Sequence, residues 1–393
     1  MSIRVLIILF IISLLTIRSS RCQSWDTNIQ AVVDQVSIDS LTADLQTLEG
    51  FGRKEIFDTA LANTGEWLIQ SYQQMGYTDI QTDTFEILDQ SCYNIIVTKP
   101  GTLFPDRYVI IDGHYDTRNG PGVNDNGSGV AIILEIARLI ANIPTQYSIR
   151  FINFSSEEYG LFGSTHYVQE VVIPQEMDIR IVFNIDEVGG VAGLPNDTVI
   201  CERDESPPAY NNAESSAFTD TLVNLTELYS DLQTVVSYAY GSDYVPFQTN
   251  GEIITGLFEF NNSPYPHTIH DSLVNLDIVY VTEIARASVA SALYFACEIT
   301  TGTIELPVAE DGSYPDIYPV PFNDFINIKI PDEFLPSWVM IYNATGDLMR
   351  NWKIAEPGIS REETESLVPG PYYFRIAGED GMVIKTGSLI KAM

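Results

Sequence analysis

The chain has 393 residues, 45% hydrophobic and 19% charged, a balance that excludes wholesale disorder and leaves room for two or three domains. Its 20 Lys+Arg against 53 Asp+Glu give a formal net charge of -33, which repels phosphate backbones and anionic membranes and argues against nucleic-acid binding. The four cysteines (Cys22, Cys92, Cys201 and Cys297) form no CxxC pair, which excludes a disulfide scaffold and a thiolate zinc knuckle. In chain order, Arg4 and the apolar run Val5 to Ile17 predict a signal peptide over residues 1–22. Ser20 and Cys22 stand at −3 and −1 of a cleavage before Gln23. A membrane anchor is the alternative, although the run is short for a bilayer span. With Cys22 removed, three cysteines allow one disulfide at most, and no pairing is favoured.

Helical spacing follows at Ser37 to Leu48 and Ala60 to Met75. Strands are predicted at Tyr108 to Asp112, Ile149 to Phe154, Ile179 to Phe183, Thr234 to Tyr238 and Ile253 to Phe260. Helices are predicted at Val130 to Ile140, Leu161 to Val171, Phe218 to Leu232 and Asp277 to about Cys297. Apolar strands alternating with helices imply an α/β fold, a mostly parallel mixed sheet covered by helices on both faces. Thr300 to Asp316 is polar with Gly and Pro and reads as a linker. Beyond it the alternation of Ile326–Asn–Ile–Lys–Ile330, with turns at Asn343 to Asp347 and Gly378 to Gly381, predicts a small all-β sandwich. The domain assignment is therefore 1–22 signal peptide, 23–300 catalytic unit, 301–316 linker and 317–393 β-sandwich.

Ligands and catalytic groups in open α/β sheets gather beyond the carboxyl ends of the strands. Four of the predicted strands empty into carboxylates or imidazoles. His114 and Asp116 follow the first, Glu157 and Glu158 the second, Asp186 the third, and His267, His270 and Asp271 the last; Asp125 lies in a Gly-rich loop before a helix. Imidazole plus carboxylate suits zinc or a similar divalent ion with hydrolytic chemistry. No GxSxG, GxGxxG or Walker loop is present. A metal-binding His needs an acceptor for its other ring N–H, and Asp116 is placed to supply one for His114. Adjacent Glu157 and Glu158 face different directions, so one can bind metal while the other stays free as a base.

These stretches are Gly113–His–Tyr–Asp–Thr117, Gly122–Val–Asn–Asp–Asn–Gly–Ser–Gly–Val130, Phe154–Ser–Ser–Glu–Glu–Tyr–Gly–Leu–Phe–Gly–Ser164, Asn184–Ile–Asp186 and His267–Thr–Ile–His–Asp–Ser272. In that order they resemble the co-catalytic dizinc aminopeptidases of the bacterial leucyl aminopeptidase type. The resemblance implies the zinc aminopeptidase fold and two Zn2+ per chain. It implies that His114 and Asp186 hold one zinc, Glu158 and His267 the other, and that Asp125 bridges them, followed by a peptide bond that is often cis. It further implies Asp116 as the partner of His114 and Glu157 as general base. Peptides would be hydrolysed at their N-terminal residues through a metal-bridging hydroxide. His270 falls at a variable position of the motif.

Gly241–Ser–Asp–Tyr–Val–Pro–Phe247 resembles the family's Ser–Asp–His–x–x–Phe, which places Tyr244 and Phe247 in the substrate-pocket wall. Tyr240, Tyr238 and Tyr265 are candidates to assist the oxyanion. Glu187 stands where the family commonly has an apolar Met lining the pocket for the first side chain. A carboxylate there needs a partner or water, and the substrate could be that partner.

Three other functions share the fold. A glutaminyl cyclase is disfavoured by Pro266 before His267 and by the compact Glu157 to Gly163 segment. A carboxypeptidase would need a cation such as Arg118 or Arg203, with nothing pointing to either. An inactive surface binding protein is at odds with the full ligand set. The tail, Tyr318–Pro–Val–Pro–Phe–Asn–Asp–Phe–Ile–Asn–Ile–Lys329 with Ile341–Tyr–Asn–Ala–Thr–Gly–Asp347, Gly370–Pro–Tyr372 and Lys385, resembles the C-terminal sorting domain of type IX secretion. A carbohydrate-binding or spacer domain is the alternative. The resemblance implies export through the periplasm to the cell surface or medium. The expected partners are peptide substrates and the secretion machinery, with no nucleic acid and no membrane span in the mature chain.

Overall fold

The computed structural model describes residues 25–239, 241–297 and, apart from 319–321, 323, 344–347, 357, 365 and 379–382, residues 316–391. The expected signal peptide, Tyr240 and nearly all of the expected linker lie outside the described residues. Elements α1 (Thr27–Val33), α2 (Ile38–Gly50) and α3 (Thr59–Gln74) lead into a hairpin of β1 (Ile80–Ile87) and β2 (Gln90–Lys99). There follow β3 (Phe104–His114), α4 (Gly127–Ile140), β4 (Tyr147–Phe154), α5 (Phe162–Tyr167), β5 (Asp178–Ile185), β6 (Thr198–Arg203), α6 (Asn212–Tyr229), β7 (Gln233–Tyr238), α7 (Tyr244–Asn250), β8 (Ile254–Glu259) and α8 (Ile278–Ala296).

The strands form one eight-stranded sheet in the order β1-β2-β4-β3-β5-β8-β6-β7. Its centre is parallel, β4 with β3, β3 with β5 and β5 with β8, while β1, β2 and the β6–β8 pairing add antiparallel contacts. Side chains alternate across a strand, and the two faces bury different residues. Val109 and Ile111 join the larger core with α1 to α4, α6 and α8, whereas Ile110 joins a smaller core with Tyr167, Tyr244 and Phe247. Helices thus cover both faces, as the alternation predicts.

Local chemistry starts the helices where the chain requires it. The Asp26 carboxylate accepts from the Asn28 and Ile29 N–H groups, Ser37 from Ser40, Asn126 from Gly129 and Asp277 from Val279 and Tyr280. α4 is apolar nearly all round because it is buried nearly all round, including Val130, Ile132, Ile133 and Ile136. Burying each such side chain contributes about 1.5–3 kcal/mol. α8 is long and apolar enough to cross a membrane, but most of it is buried in the core.

The hairpin, β6 and the short α7 are not predicted by the sequence pattern. β1 is an edge strand with a mixed burial pattern, and α7 is seven residues long with Pro246 inside it, so neither carries a clear period. The segment expected to be one helix over Leu161 to Val171 is α5 followed by a π-helical turn, Val168–Val172. Cys92, Cys201 and Cys297 are all free and buried.

The tail forms a three-stranded and a four-stranded antiparallel sheet. The first holds β9 (Asp316–Tyr318), β10 (Phe325–Ile330) and β13 (Gly358–Glu363). The second holds β11 (Ser337–Tyr342), β12 (Leu348–Ile354), β14 (Gly370–Gly378) and β15 (Val383–Lys391). Both contribute to a single core, with Ile326 and Ile328 from the first and Val339, Ile341, Phe374 and Ile376 from the second. This is the small β-sandwich the alternation predicts.

Candidate metal centre

His114 is the last residue of β3, Glu157 and Glu158 form a tight turn after β4, and Asp186 directly follows β5. His267 lies on the loop after β8. The parallel strands therefore deliver all of them to one end of the sheet. His114 Nε2 is 3.3 Å from Asp125 Oδ1 and 3.5 Å from Asp186 Oδ1. His267 Nε2 is 2.7 Å from Glu158 Oε2 and 3.3 Å from Asp125 Oδ2. Asp125 thus turns one carboxylate oxygen to each histidine. Two groups result, His114–Asp125–Asp186 and Asp125–Glu158–His267, and within each the ligand atoms lie within 4.8 Å of one another. The His114 side chain is 1% exposed and that of His267 47%, so the cluster opens to solvent on the His267 side.

The loops are held by buried polar contacts. The Asp125–Asn126 peptide is cis. Asp271 accepts from the Asn124 and Asp125 N–H groups at 2.7 and 3.0 Å. The Asn126 amide donates to Ile185 O, while its oxygen accepts from Gly129 N–H. This joins the start of α4 to the end of β5. A side chain on Gly129 would place its Cβ 2.2 Å from Ile185 O, so only glycine permits that approach. Ser242 donates to Asp186 Oδ2 at 2.6 Å. Lys54, fully buried, donates to the carbonyls of Gly52 and Pro121, and its backbone pairs with Thr117.

Asp116 differs from the expectation in one respect. Its carboxylate accepts from Glu157 N–H at 3.0 Å and Glu158 N–H at 3.2 Å, fixing the turn that presents both glutamates. His114 Nδ1 faces the Asp116 backbone carbonyl at 3.1 Å, nearer than the carboxylate at 3.7 Å. The carboxylate stays within ion-pair distance of the ring while it accepts from the two backbone donors.

Burial pushes Glu157 up to about 7, with Asp186, Asp116 and Asp125 adding repulsion against the pull of His114. Burial and then Asp125 push Glu158 up to about 10. Burial alone would raise Asp125, but its hydrogen bonds with both histidines hold it below the usual carboxylate range. Burial works against protonated His114, yet Asp186 and Glu157 outweigh it and raise the imidazole well above its usual range. Hydrogen bonding to Asp125 raises His267. Such crowding of carboxylates is costly unless cations enter.

Of the other expected site residues, Glu187 directly follows Asp186 and is partly buried, and burial, followed by Asp125, Asp186 and Glu259, pushes its carboxyl up to about 10. Tyr265 is half-buried and packs edge-on against His270, with ring centroids 6.4 Å apart. Tyr244 and Phe247 instead belong to the core beneath the site. Tyr244 is buried because its hydroxyl finds Glu202 at 3.0 Å, and Phe247 packs against Phe154 and Tyr167. Arg203 is paired with Asp220. Sequence reasoning missed Ser242, Asn126 and Lys54 as parts of the site, and it named Asp271 without its role in holding the Asp125 loop. Ser242 and Asn126 stand inside motifs read for other residues; nothing in the sequence marks Lys54.

The donor set fits divalent cations. Glu158 Oε1 and Asp186 Oδ1 are buried oxygens with no hydrogen-bond partner, and both belong to the two groups. Unpaired buried carboxylate oxygens among imidazoles are what a zinc ion would satisfy.

Residues 94–292 match the model of peptidase family M28, and residues 316–390 match the secretion system C-terminal sorting domain. The chain is 41% identical over 196 residues to the aminopeptidase YwaD of Bacillus subtilis, covering 48% of this chain and 41% of that protein. It thus spans less than half the length of that curated relative. The fold is similar to that of the Legionella pneumophila LapA aminopeptidase, with a TM-score of 0.60 at 23% identity, over 70% of this chain and 78% of the other. It is also similar to that of a glutaminyl cyclase of Macrostomum lignano, with a TM-score of 0.60 at 17% identity, over 69% of this chain and 93% of the other.

Proposed function

The chain belongs to peptidase family M28, and we propose that it is an exported zinc aminopeptidase that hydrolyses N-terminal residues from peptides. The observation that carries this reading is the Asp125 carboxylate shared between two imidazole–carboxylate groups. His114, Asp125 and Asp186 would hold one zinc, and Asp125, Glu158 and His267 the other. Two such ions would polarise a peptide carbonyl and lower the pKa of an attacking water.

The remaining work falls to the chain. Glu157, which belongs to neither ligand group, takes the proton of the attacking water and gives it to the leaving amine. Asp116 keeps Glu157 in place through its backbone N–H, and Ser242 orients Asp186. Tyr265 and Glu187 border the site from the His267 loop and the end of β5. We assign residues 23–300 to the peptidase unit and 317–393 to sorting. The match of residues 316–390 to a secretion sorting domain supports export to the cell surface or beyond.

The test is a panel of aminoacyl-anilides, N-acetylated controls and Gln-peptides, assayed as purified, after chelation and after zinc is restored. Cleavage of free anilides that chelation abolishes and zinc restores supports the reading. Cyclisation of Gln-peptides without anilide cleavage overturns it in favour of a glutaminyl cyclase, and no turnover with zinc bound points to a binding protein.

A further inference from the structure

α5 and α7 are both anchored at the metal centre. The chain leaves the glutamate turn through Gly160 and Leu161, both in the left-handed region at φ 106 and 59. For leucine that conformation costs free energy. Both N–H groups donate to the Glu157 carbonyl at 2.8 Å, and the Leu161 carbonyl accepts from Thr165 N–H at 2.9 Å, which starts α5. On the other side, Ser242 donates to Asp186, and its carbonyl accepts from Val245 N–H at 3.0 Å in the first turn of α7. One helix is thus tied to the backbone of Glu157 and the other to a partner of Asp186.

Between the two helices lies a cavity of about 330 Å³, at the lower end of the range for ligand pockets. Gly160 and Leu161 form its end next to the glutamate turn. That end is open: a Cβ on Gly160 would meet nothing within 4 Å. Leu161, Val168, Ile173, Val245 and Pro246 give the cavity an apolar lining. Val168 also belongs to the smaller core, whereas Ile173 is 50% exposed. No charged residue lines the cavity, in a chain that carries 53 Asp+Glu. The metal ligands and Glu157 make no use of this space.

We propose that the groove between α5 and α7 receives a large apolar side chain of the leaving peptide, and so selects substrates with an aromatic or branched apolar residue at the second or third position. The proposal rests on the aminopeptidase reading and names its substrate class. In that reading Glu157 gives its proton to the leaving amine, so the chain beyond the scissile bond lies on the Glu157 side, where the groove begins. Two extended residues cover roughly 7 Å beyond that bond. An apolar side chain there leaves water for an uncharged, mostly apolar lining. An acidic side chain would find no cation in the groove, and a lysine no carboxylate.

The experiment measures kcat and KM of the zinc-loaded full chain for Leu-Ala-Ala-Ala and for the same peptide with Phe or Lys at the second or the third position, beside Leu-anilide. Wild type is compared with Val245→Asp and Thr249→Asp, which place a carboxylate in the lining. Thr249 is exposed and serves if the Val245 variant does not fold. Zinc content and melting temperature are checked for each protein. Wild type is expected to prefer Phe over Ala about tenfold at one of the two positions. The variants are expected to lower that Phe-to-Ala ratio about tenfold, chiefly through KM, and to raise the Lys-to-Ala ratio at the same position. Cleavage of Leu-anilide by a wild type that shows no Phe preference overturns the proposal alone. Unchanged ratios in folded, zinc-replete variants overturn it as well, as does an equal fall for every peptide, which would assign the groove to the support of the centre. Failure of wild type to cleave Leu-anilide and every peptide refutes the aminopeptidase reading itself, and the proposal with it.

Discussion

At the scale of single residues, the adjacent pair Glu157 and Glu158 carries the sharpest distinction. Glu158 is 2.7 Å from His267 and has one oxygen without a partner, whereas Glu157 belongs to neither ligand group. Glu157→Gln is expected to retain two zinc ions and lose roughly 10²–10⁴ in kcat, because an amide cannot accept the water's proton. Glu158→Gln is expected to lose metal from one site as well. Elemental analysis with steady-state rates separates the two; a metal-replete Glu157→Gln with near-normal rate contradicts the assignment. The same logic applies to the histidines. His267 lies against Asp125 and Glu158, whereas His270 is exposed and packs on Tyr265. His267→Ala is expected to deplete one zinc and His270→Ala none.

These candidate ligands are legible in the sequence because imidazoles and carboxylates follow four of the predicted strands, with Asp125 in a Gly-rich loop, and because the motifs around them resemble a known family. The residues that hold them are not. Asp271 acts on backbone N–H groups 146 and 147 residues away, a relation no local spacing reveals. Lys54 is one lysine before a loop, and only the fold brings it to Pro121. Tyr244 and Phe247 show the reverse error: a motif near a site places residues in the neighbourhood without saying which face they turn.

At the scale of elements, α2 packs on α4, and Asp44 meets Glu135 and Arg138 there. Burial, followed by Glu135, pushes Asp44 up to about 7 against the partial relief of Arg138. The folded state therefore holds this proton more tightly than the unfolded chain does. Its contribution to stability is full below the unfolded carboxylate range and is lost as pH rises through about 7. Asp44→Asn is expected to flatten that decline and raise the melting temperature by about 2–4 °C at pH 8, with little effect at pH 4. Thermal melts across pH 4–8 check this. A variant that melts in parallel with wild type at every pH would contradict it. The helices themselves are legible wherever an apolar stripe of three or more turns exists, as in α2, α3 and α8. Elements of one or two turns, such as α7, are set by tertiary packing and carry no such stripe.

At the scale of the whole molecule, the buried clusters divide the chain. Among the described residues, the two cores of the eight-stranded sheet contain none beyond Ala296, and the core of the β-sandwich begins at Ile317. A chain ending at Cys297 is therefore expected to fold and keep full activity per molecule. In the producing cell it is expected to remain in the periplasm, because the matched sorting segment is gone. Fractionation and activity assays test both halves, and normal amounts outside the cell would refute a sorting role. The net charge of -33 fits this picture of an exported protein without deciding its chemistry. That decision rests on what happens to a peptide. The most direct measurement is mass spectrometry of a peptide incubated with the zinc-loaded chain, beside its N-acetylated twin. The account predicts a ladder of products that shorten one residue at a time from the free N-terminus, with the acetylated peptide intact. Internal cleavage, shortening from the carboxyl end, or equal cleavage of the acetylated peptide would contradict it.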